Sequence, residues 1–430
     1  MSSQVTRRGF LGAAAALAAT APLAAEDTKV GRSNKLNLGV IGVGGQGMYS
    51  VGQIAHENIV ALCDVDSERD DVVKARKAHP GARFYQDFRR LLDQKGIDAV
   101  VVATPDHWHA IPAVSAMKAG MHLYCEKPLA HSVHEIRVMM QTAAETKRIT
   151  QMGTQIHAEN NYRRVVEIVQ AGVLGKVDRV QVWCNRRPDH IKMAKTAAKI
   201  PAGLDYDMWL GPAPARPYDK SFLPFHWRWL FDFGGGVLAD MACHFMDLPH
   251  WALDLRTPTT VEASGGKKLG EGDYDVPDVL QVDYRYPAKG NRPAVHLTWY
   301  SGVTGPGLDT KTPFHGFRDG VLFTGDKGQL LADYGRYKLL PEKDFKYFDP
   351  PKQTIPASIG HHREWLKAIR DGGTTTCNFA YSGALAETVL LGNVAYRSGV
   401  KLNWDEKAGT TGSAEADKWL RREYRKGWKL

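Results

Sequence analysis

A chain of 430 residues with 43% apolar and 24% charged residues has the composition of an ordinary water-soluble globular protein, long enough for two domains. Its formal charge of +9 is spread along the sequence. The concentrated basic face that nucleic-acid binding requires is therefore absent, while acidic substrates stay open.

The first element in chain order is a targeting segment. Thr6-Arg7-Arg8-Gly9-Phe10-Leu11, an alanine-rich apolar stretch to Ala25 and then Glu26-Asp27 form a twin-arginine export signal over residues 1–25. Leu23 stands where cleavage after Ala25 would favour alanine, so an uncleaved signal remains an alternative. The apolar stretch is shorter than the roughly 20 residues a membrane helix needs, and no later stretch is long and apolar enough. A periplasmic or exported protein without stable membrane insertion is expected.

Residues 34–154 alternate strand-like runs (36–42, 58–63, 98–103, 121–125) with helix-compatible segments (47–56, 67–79, 87–94, 110–119, 132–147), the pattern of a parallel doubly wound sheet. The first run ends in Gly42-x-Gly44-x-x-Gly47, with Gly45 and Gln46 inside the turn. Gly42 permits the tight turn, Gly44 lets the backbone approach a pyrophosphate and Gly47 lets the helix pack on the strand. The second run ends at Asp64, about 20 residues on, where a carboxylate can take both adenosine-ribose hydroxyls and repel a 2′-phosphate. A dinucleotide site, NAD rather than NADP, is predicted; a tight turn without ligand is the alternative. A dinucleotide enzyme exported already folded would carry its nucleotide tightly bound, because no free pool exists outside.

Two loops follow strands on the same sheet edge. Thr104-Pro105-Asp106-His107-Trp108-His109 places Thr104, Pro105 and His109 along the nicotinamide half of a cofactor, although the two histidines could equally cap the next helix. Glu126-Lys127-Pro128 places a lysine where it can stabilise an alkoxide. A cis Pro128 would aim that ammonium group inward.

From 155 to 405 the strands lengthen (177–185, 259–264, 278–285, 293–301, 319–324, 329–333) and lose their regular helices. This predicts an α+β domain with a mostly antiparallel sheet, with helices at 160–171, 236–252, 360–371 and 381–397. Residues 406–430 read as a charged tail. The five cysteines form no C-x-x-C and read as buried small side chains rather than a disulfide or zinc framework.

Gly234-Gly235-Gly236 opens a helix on which Asp240 and His244 are one turn apart, with Asp247 continuing the stripe. Asp240 can orient the imidazole and hold it as a base. A His/Asp metal site is the rival, but it lacks third and fourth ligands at local spacing, so no metal is expected. The aromatic segment at 209–233, beside Asp205, Asp207, His226 and Arg228, suits a sugar. Gln155, Arg163, Asn185, Trp227 and Arg228 are candidate substrate contacts. The alternative for each ring is a plug at the domain interface.

The glycine fingerprint, Glu126-Lys127-Pro128 and the Asp240-x-x-x-His244 helix after a glycine run, in this order and spacing, resemble the Gfo/Idh/MocA oxidoreductase family. That resemblance implies a Rossmann domain followed by an open-faced sheet domain, and a dimer or tetramer formed through the sheet. It implies Lys127, Asp240 and His244 at the reacting carbon, Asp64 on the cofactor ribose, and a sugar or cyclitol as substrate. The export signal and the wide aromatic insertion resemble a narrower group that includes NAD-dependent glycosidases acting by transient oxidation, and the long 186–236 segment departs from the best-known dehydrogenase patterns. That leaves two outcomes, net oxidation or glycoside cleavage with the cofactor recycled.

Overall fold

The computed structural model describes residues 35–189, 191–268, 272–306 and 311–430; the predicted export signal lies outside them. Strands β1 (Asn37–Ile41), β2 (Asn58–Cys63), β3 (Arg83–Tyr85), β4 (Ala99–Val102), β5 (His122–Cys125) and β6 (Thr150–Met152) form one parallel sheet in the order β3-β2-β1-β4-β5-β6. Helices α1 (Gln46–Ile54), α2 (Asp70–Ala78), α3 (Phe88–Asp93), α4 (Ala110–Lys118) and α5 (Val133–Thr146) connect them. Val40, Val100 and Val101 are fully buried, as a strand covered on both faces requires. The strand order reverses between β1 and β4, and ligands bind at such a switch point outside the carboxyl ends of the strands. β3 and β6 are not apparent in the sequence. Each is a three-residue edge strand containing polar residues, so neither presents an apolar run.

The second sheet has eight strands in the order β13-β12-β11-β7-β10-β9-β8-β14. They are β7 (Val177–Cys184), β8 (Thr260–Gly266), β9 (Val279–Tyr286), β10 (Val295–Ser301), β11 (Gly320–Gly325), β12 (Gly328–Ala332), β13 (Tyr337–Leu340) and β14 (Leu402–Asn403). The β7–β10 pair is parallel and the other pairs are antiparallel.

This half also holds α6 (Asn160–Gln170), α7 (Tyr206–Leu210), α8 (Gly236–Phe245), α9 (Asp247–Ala252), α10 (His361–Asp371), α11 (Phe379–Ser398) and α12 (Ala414–Asp417). Leu238 of α8 and Leu391 of α11 share a core with Val282, Tyr284 and Trp299 of the sheet. The single helix expected over 236–252 is two helices that part at Met246. Pro249 explains the break: it has no N–H to donate and its ring would clash with the Phe245 carbonyl of a continuous helix.

Two late segments return to the first sheet. Trp365 and Leu366 of α10 are fully buried in one cluster with Leu38 and Val40 of β1 and Val101 of β4. The charged tail is docked rather than loose. Arg422 donates to the Glu135 carboxylate at 2.7 and 2.9 Å and to the His107 carbonyl at 2.5 Å, and Trp428 packs edge-on to Trp108 at 4.8 Å. The loop after β4 is thereby held from outside.

Candidate functional site

The glycine turn after β1 is packed as the fingerprint requires. Gly42 has φ +83°, and a Cβ there would come within 2.7 Å of the Thr104 nitrogen; a Cβ on Gly47 would lie 1.8 Å from the Gly42 carbonyl oxygen. The turn is therefore pressed against the loop that follows β4. At the end of β2 the Asp64 carboxylate accepts from the Gly44 N–H at 2.9 Å and the Asp66 N–H at 3.0 Å. Burial raises its pKa against these two donors. The Thr104 hydroxyl is buried without a partner among the described residues. A close-packed glycine turn, a part-buried carboxylate one strand away and an orphaned hydroxyl on the facing loop fit a dinucleotide.

One residue at this end was missed. The Arg69 side chain lies over the turn, its Nε 2.8 Å from where a Gly44 Cβ would stand. A cation beside the ribose position tests the choice of coenzyme. Asp64→Ser removes the carboxylate that would repel a 2′-phosphate and leaves Arg69 to pair with it. NADP affinity relative to NAD should rise by about tenfold, equivalent to about 1.4 kcal/mol, in equilibrium dialysis of nucleotide-stripped protein. An unchanged ratio would place the ribose elsewhere.

Beyond the turn, Glu126 is buried and accepts from Gln155 at 2.9 Å and Gln46 at 3.4 Å. Burial pushes its pKa up to about 7. Gln155, expected on the substrate, thus belongs to the Glu126 network and also donates to the Tyr124 hydroxyl at 3.2 Å. His109 is also corrected. It is 1% exposed, with Nδ1 on the Pro128 carbonyl at 2.6 Å and Nε2 on the Thr104 carbonyl at 2.8 Å. Burial brings its pKa down to about 4. A neutral imidazole has one N–H and donates to one of these carbonyls; lodged between the two, the ring braces the two loops against each other. Pro105 opens the short turn 106–108, its carbonyl accepting from Trp108.

Lys127 follows Glu126 across a turn whose Lys127–Pro128 bond is cis. Its Nζ donates to the Asp240 carboxylate and the Asp240 carbonyl, both at 2.8 Å, which joins the first sheet to α8. Asp240 is not the orienter of His244 that its spacing implied, since no hydrogen bond joins them among the described residues. Instead the carboxylate is surrounded by cations: Lys127, Arg186 at 2.8 Å and Arg228 at 3.2 Å. Burial alone would raise its pKa, but these three charges together hold it well below the usual carboxylate range. Arg186 was missed; it stands at the exit of β7, where strand periodicity offers no warning of chemistry. Asp106 was missed too. It is buried near Arg228 and Lys127, and burial raises it to about 7.

His244 lies on the same helix face. Burial first, then the charges of Lys127 and Arg186, bring its pKa to about 3, so the imidazole is neutral at working pH. Its buried Nδ1 has no partner among the described residues, and its carbonyl accepts from the Tyr162 hydroxyl at 3.1 Å. Asp247, past the helix break, leaves the stripe. It pairs with His157 at 2.9 Å and accepts from Tyr381 at 2.7 Å in a separate buried network.

The remaining substrate candidates divide. Arg163 is 5% exposed and tied to Glu364 at 2.7 Å and the Pro356 carbonyl at 2.6 Å, so it is a structural cation. Asn185 accepts from Arg318 at 2.7 Å and is engaged outside the Asp240 cluster. Trp227, Trp209, Phe222 and Phe233 are at most 5% exposed and pack into one aromatic cluster; the interface-plug alternative holds for these rings. Asp205 caps α7 through Met208, and Asp207 pairs with Arg425 of the tail. Arg228 alone of this segment's expected contacts reaches the cluster.

Profiles of known families match most of this architecture: an oxidoreductase family, NAD-binding Rossmann fold, over residues 36–154, and its C-terminal alpha/beta domain over 160–289. The chain belongs to the Gfo/Idh/MocA oxidoreductase family. It is 30% identical over 188 residues to glycosyl hydrolase family 109 protein 1 of Shewanella sp. strain ANA-3, covering 39% of this chain and 41% of the relative. It is 34% identical over 157 residues to inositol 2-dehydrogenase 1 of Saccharopolyspora erythraea, covering 35% of this chain and 46% of that protein. The match thus spans less than half the length of either relative. Among solved structures, the WlbA dehydrogenase from Bordetella pertussis in complex with NADH and UDP-GlcNAcA superposes with a TM-score of 0.61 at 17% identity, over 86% of this chain and 99% of that one. At that identity the likeness shows the fold. Among the described residues no helix is long and apolar enough to cross a membrane, and no group of three or more His, Cys, Asp or Glu could hold a metal ion.

Proposed function

We propose that this protein oxidises a carbinol carbon of a sugar, glycoside or cyclitol, using a tightly held NAD. The observation that carries the reading is Lys127, on the edge of the dinucleotide-binding sheet, locked to Asp240 on the helix that also presents His244. A bound nicotinamide coenzyme supplies the hydride acceptor. The turn at Gly42–Gly47, Asp64 and the Thr104–Pro105 loop would hold it. Lys127 donates to the substrate hydroxyl and stabilises the alkoxide as it forms, from a position that costs no reorganisation. His244, unprotonated at working pH, accepts the hydroxyl proton. Asp240 positions Lys127, Arg186 and Arg228 rather than the imidazole. Export with the coenzyme in place, and a homo-oligomer, complete the reading.

A second outcome shares the first step. Oxidation at C3 acidifies the C2–H, a base takes that proton as the C1 substituent leaves, water adds at C1 of the resulting enone, and the hydride returns to C3. The glycosyl hydrolase family 109 name borne by one of the relatives above favours it. Incubating the protein as purified with aryl glycosides, without added nucleotide, separates the two. Multiple turnovers of released aglycone indicate cleavage, and a single step of coenzyme reduction without release indicates net oxidation. Protein that neither reduces nor releases with any sugar or cyclitol would overturn the proposal.

A further inference from the structure

We propose that residues 201–205, within the long segment between β7 and α8, form a strap over the adenosine end of the coenzyme site that must open before the coenzyme can leave. The inference rests on the reading of the glycine turn and Asp64 as a dinucleotide site, and it names what would make that coenzyme tightly held. The stretch just past Asp64 is clipped to this segment along its backbone. The Asp205 N–H donates to the Val65 carbonyl at 2.8 Å and the Ser67 N–H to the Gly203 carbonyl at 3.0 Å, with an antiparallel bridge between Asp66 and Leu204. Gln86, just after β3, ties the two sides together, its amide donating to the Val65 carbonyl at 3.1 Å and the Gly203 carbonyl at 3.0 Å. The seam leaves no gap: a Cβ on Gly203 would stand 2.6 Å from Glu68 Cγ and 2.8 Å from the Glu68 nitrogen.

The clipped stretch is the one that presents the groups facing the ribose position. Asp64 accepts from the Asp66 N–H at 3.0 Å, and Asp66 accepts from the Arg69 N–H at 3.1 Å. Bonds from the strap to Val65, Asp66 and Ser67 therefore fix the backbone between Asp64 and Arg69. Behind the seam, Val65 and Leu204 pack against the aromatic cluster of Tyr206, Trp209 and Phe222.

The same segment is anchored again on the other side of the glycine turn. Trp108 Nε1 donates to the Met208 and Trp209 carbonyls at 3.0 and 2.9 Å, and a Cβ on Gly211 would lie 2.0 Å from the Trp108 ring. Arg425 of the tail donates to the Gly211 carbonyl at 2.9 Å. In the sheet order β2 and β4 flank β1, so the segment joins both neighbours of the turn against which a dinucleotide lies. Pro201 and Ala202 at the head of the strap are exposed. Bonds at such an edge open locally without global unfolding, and that opening sets the rate at which a covered ligand leaves.

The test is the rate of nucleotide release, which needs no substrate. Protein loaded with radiolabelled NAD is chased with excess unlabelled NAD, and the label that stays on the protein is followed with time. Gly203→Ala forces the seam apart, and Gln86→Ala removes two of its bonds from an exposed position where no cavity is left. Gly203→Ala should release NAD at least about tenfold faster than the parent, and Gln86→Ala about threefold faster, the scale of one or two lost hydrogen bonds. ADP-ribose, which keeps the adenosine half, should show the same ratios. Nucleotide-free Gln86→Ala should melt with the parent, which separates faster release from a weakened fold; if Gly203→Ala does not fold, Gln86→Ala decides alone. Parent-like release from the folded variants, or faster release of NAD with ADP-ribose unchanged, overturns the strap. Protein that binds no dinucleotide removes the coenzyme reading and the strap with it, whereas binding with one release rate throughout removes the strap alone.

Discussion

Lys127→Ala should retain its nucleotide and lose on the order of 10³ in kcat, the scale of one preorganised donor at a developing oxyanion. The expectation follows from what the side chain touches. Nζ bonds to two oxygens of Asp240 and to no residue of the glycine turn, so its removal leaves Gly42, Gly47, Asp64 and Thr104 as they are. It also leaves Asp240 paired with Arg186 and Arg228, so the buried carboxylate stays compensated and the fold should survive. Nucleotide content after denaturation should match the parent, while the single-turnover rate of coenzyme reduction collapses. Parent-like reduction would take Lys127 out of the mechanism. Loss of nucleotide together with activity would make it a cofactor ligand instead.

The fold was legible wherever a run of side chains repeats one environment. Past the polar first residues Asn37, Asn58 and His122, β1, β2, β4 and β5 are apolar because both faces are covered, and the glycine fingerprint is legible because a Cβ at Gly42 or Gly47 would collide with backbone. Edge strands such as β3 and β6 carry no such repetition. Pro249 did mark the break in the 236–252 helix, but a continuous stripe of Asp240, His244 and Asp247 concealed it. The site was legible to the extent that its residues sit next to a signature. Lys127, Asp240 and His244 do; Arg186 and Arg69 do not, because their place depends on how loops from distant strands fold together. The errors share one cause. His109, Arg163, Gln155 and Trp227 are polar or aromatic residues near the crevice in sequence, yet their hydrogen bonds go to backbone carbonyls or to other buried side chains. Composition and spacing report which groups are available, but not which partner has already claimed them.

Asp240→Asn should destabilise the protein by about 3 kcal/mol, because breaking a buried ion cluster strands its partners. The substitution keeps volume and shape but removes the one carboxylate that Lys127, Arg186 and Arg228, each mostly buried, share. Removing one of them together with the carboxylate should recover part of the loss. Arg186→Met in the Asp240→Asn background is then less damaging than the two single changes added, and a double-mutant cycle measures that coupling. The pH dependence has a definite sign. Asp240 titrates well below its ordinary value in the folded protein, so its stabilisation is present above the unfolded-state value of about 4 and is lost as pH falls through the lower folded value. Denaturant midpoints of parent and Asp240→Asn should therefore differ by a constant amount between about pH 5 and 8 and converge only in strong acid. A difference that disappeared already near pH 6 would mean that the three cations are screened by solvent and that Asp240 does not hold them.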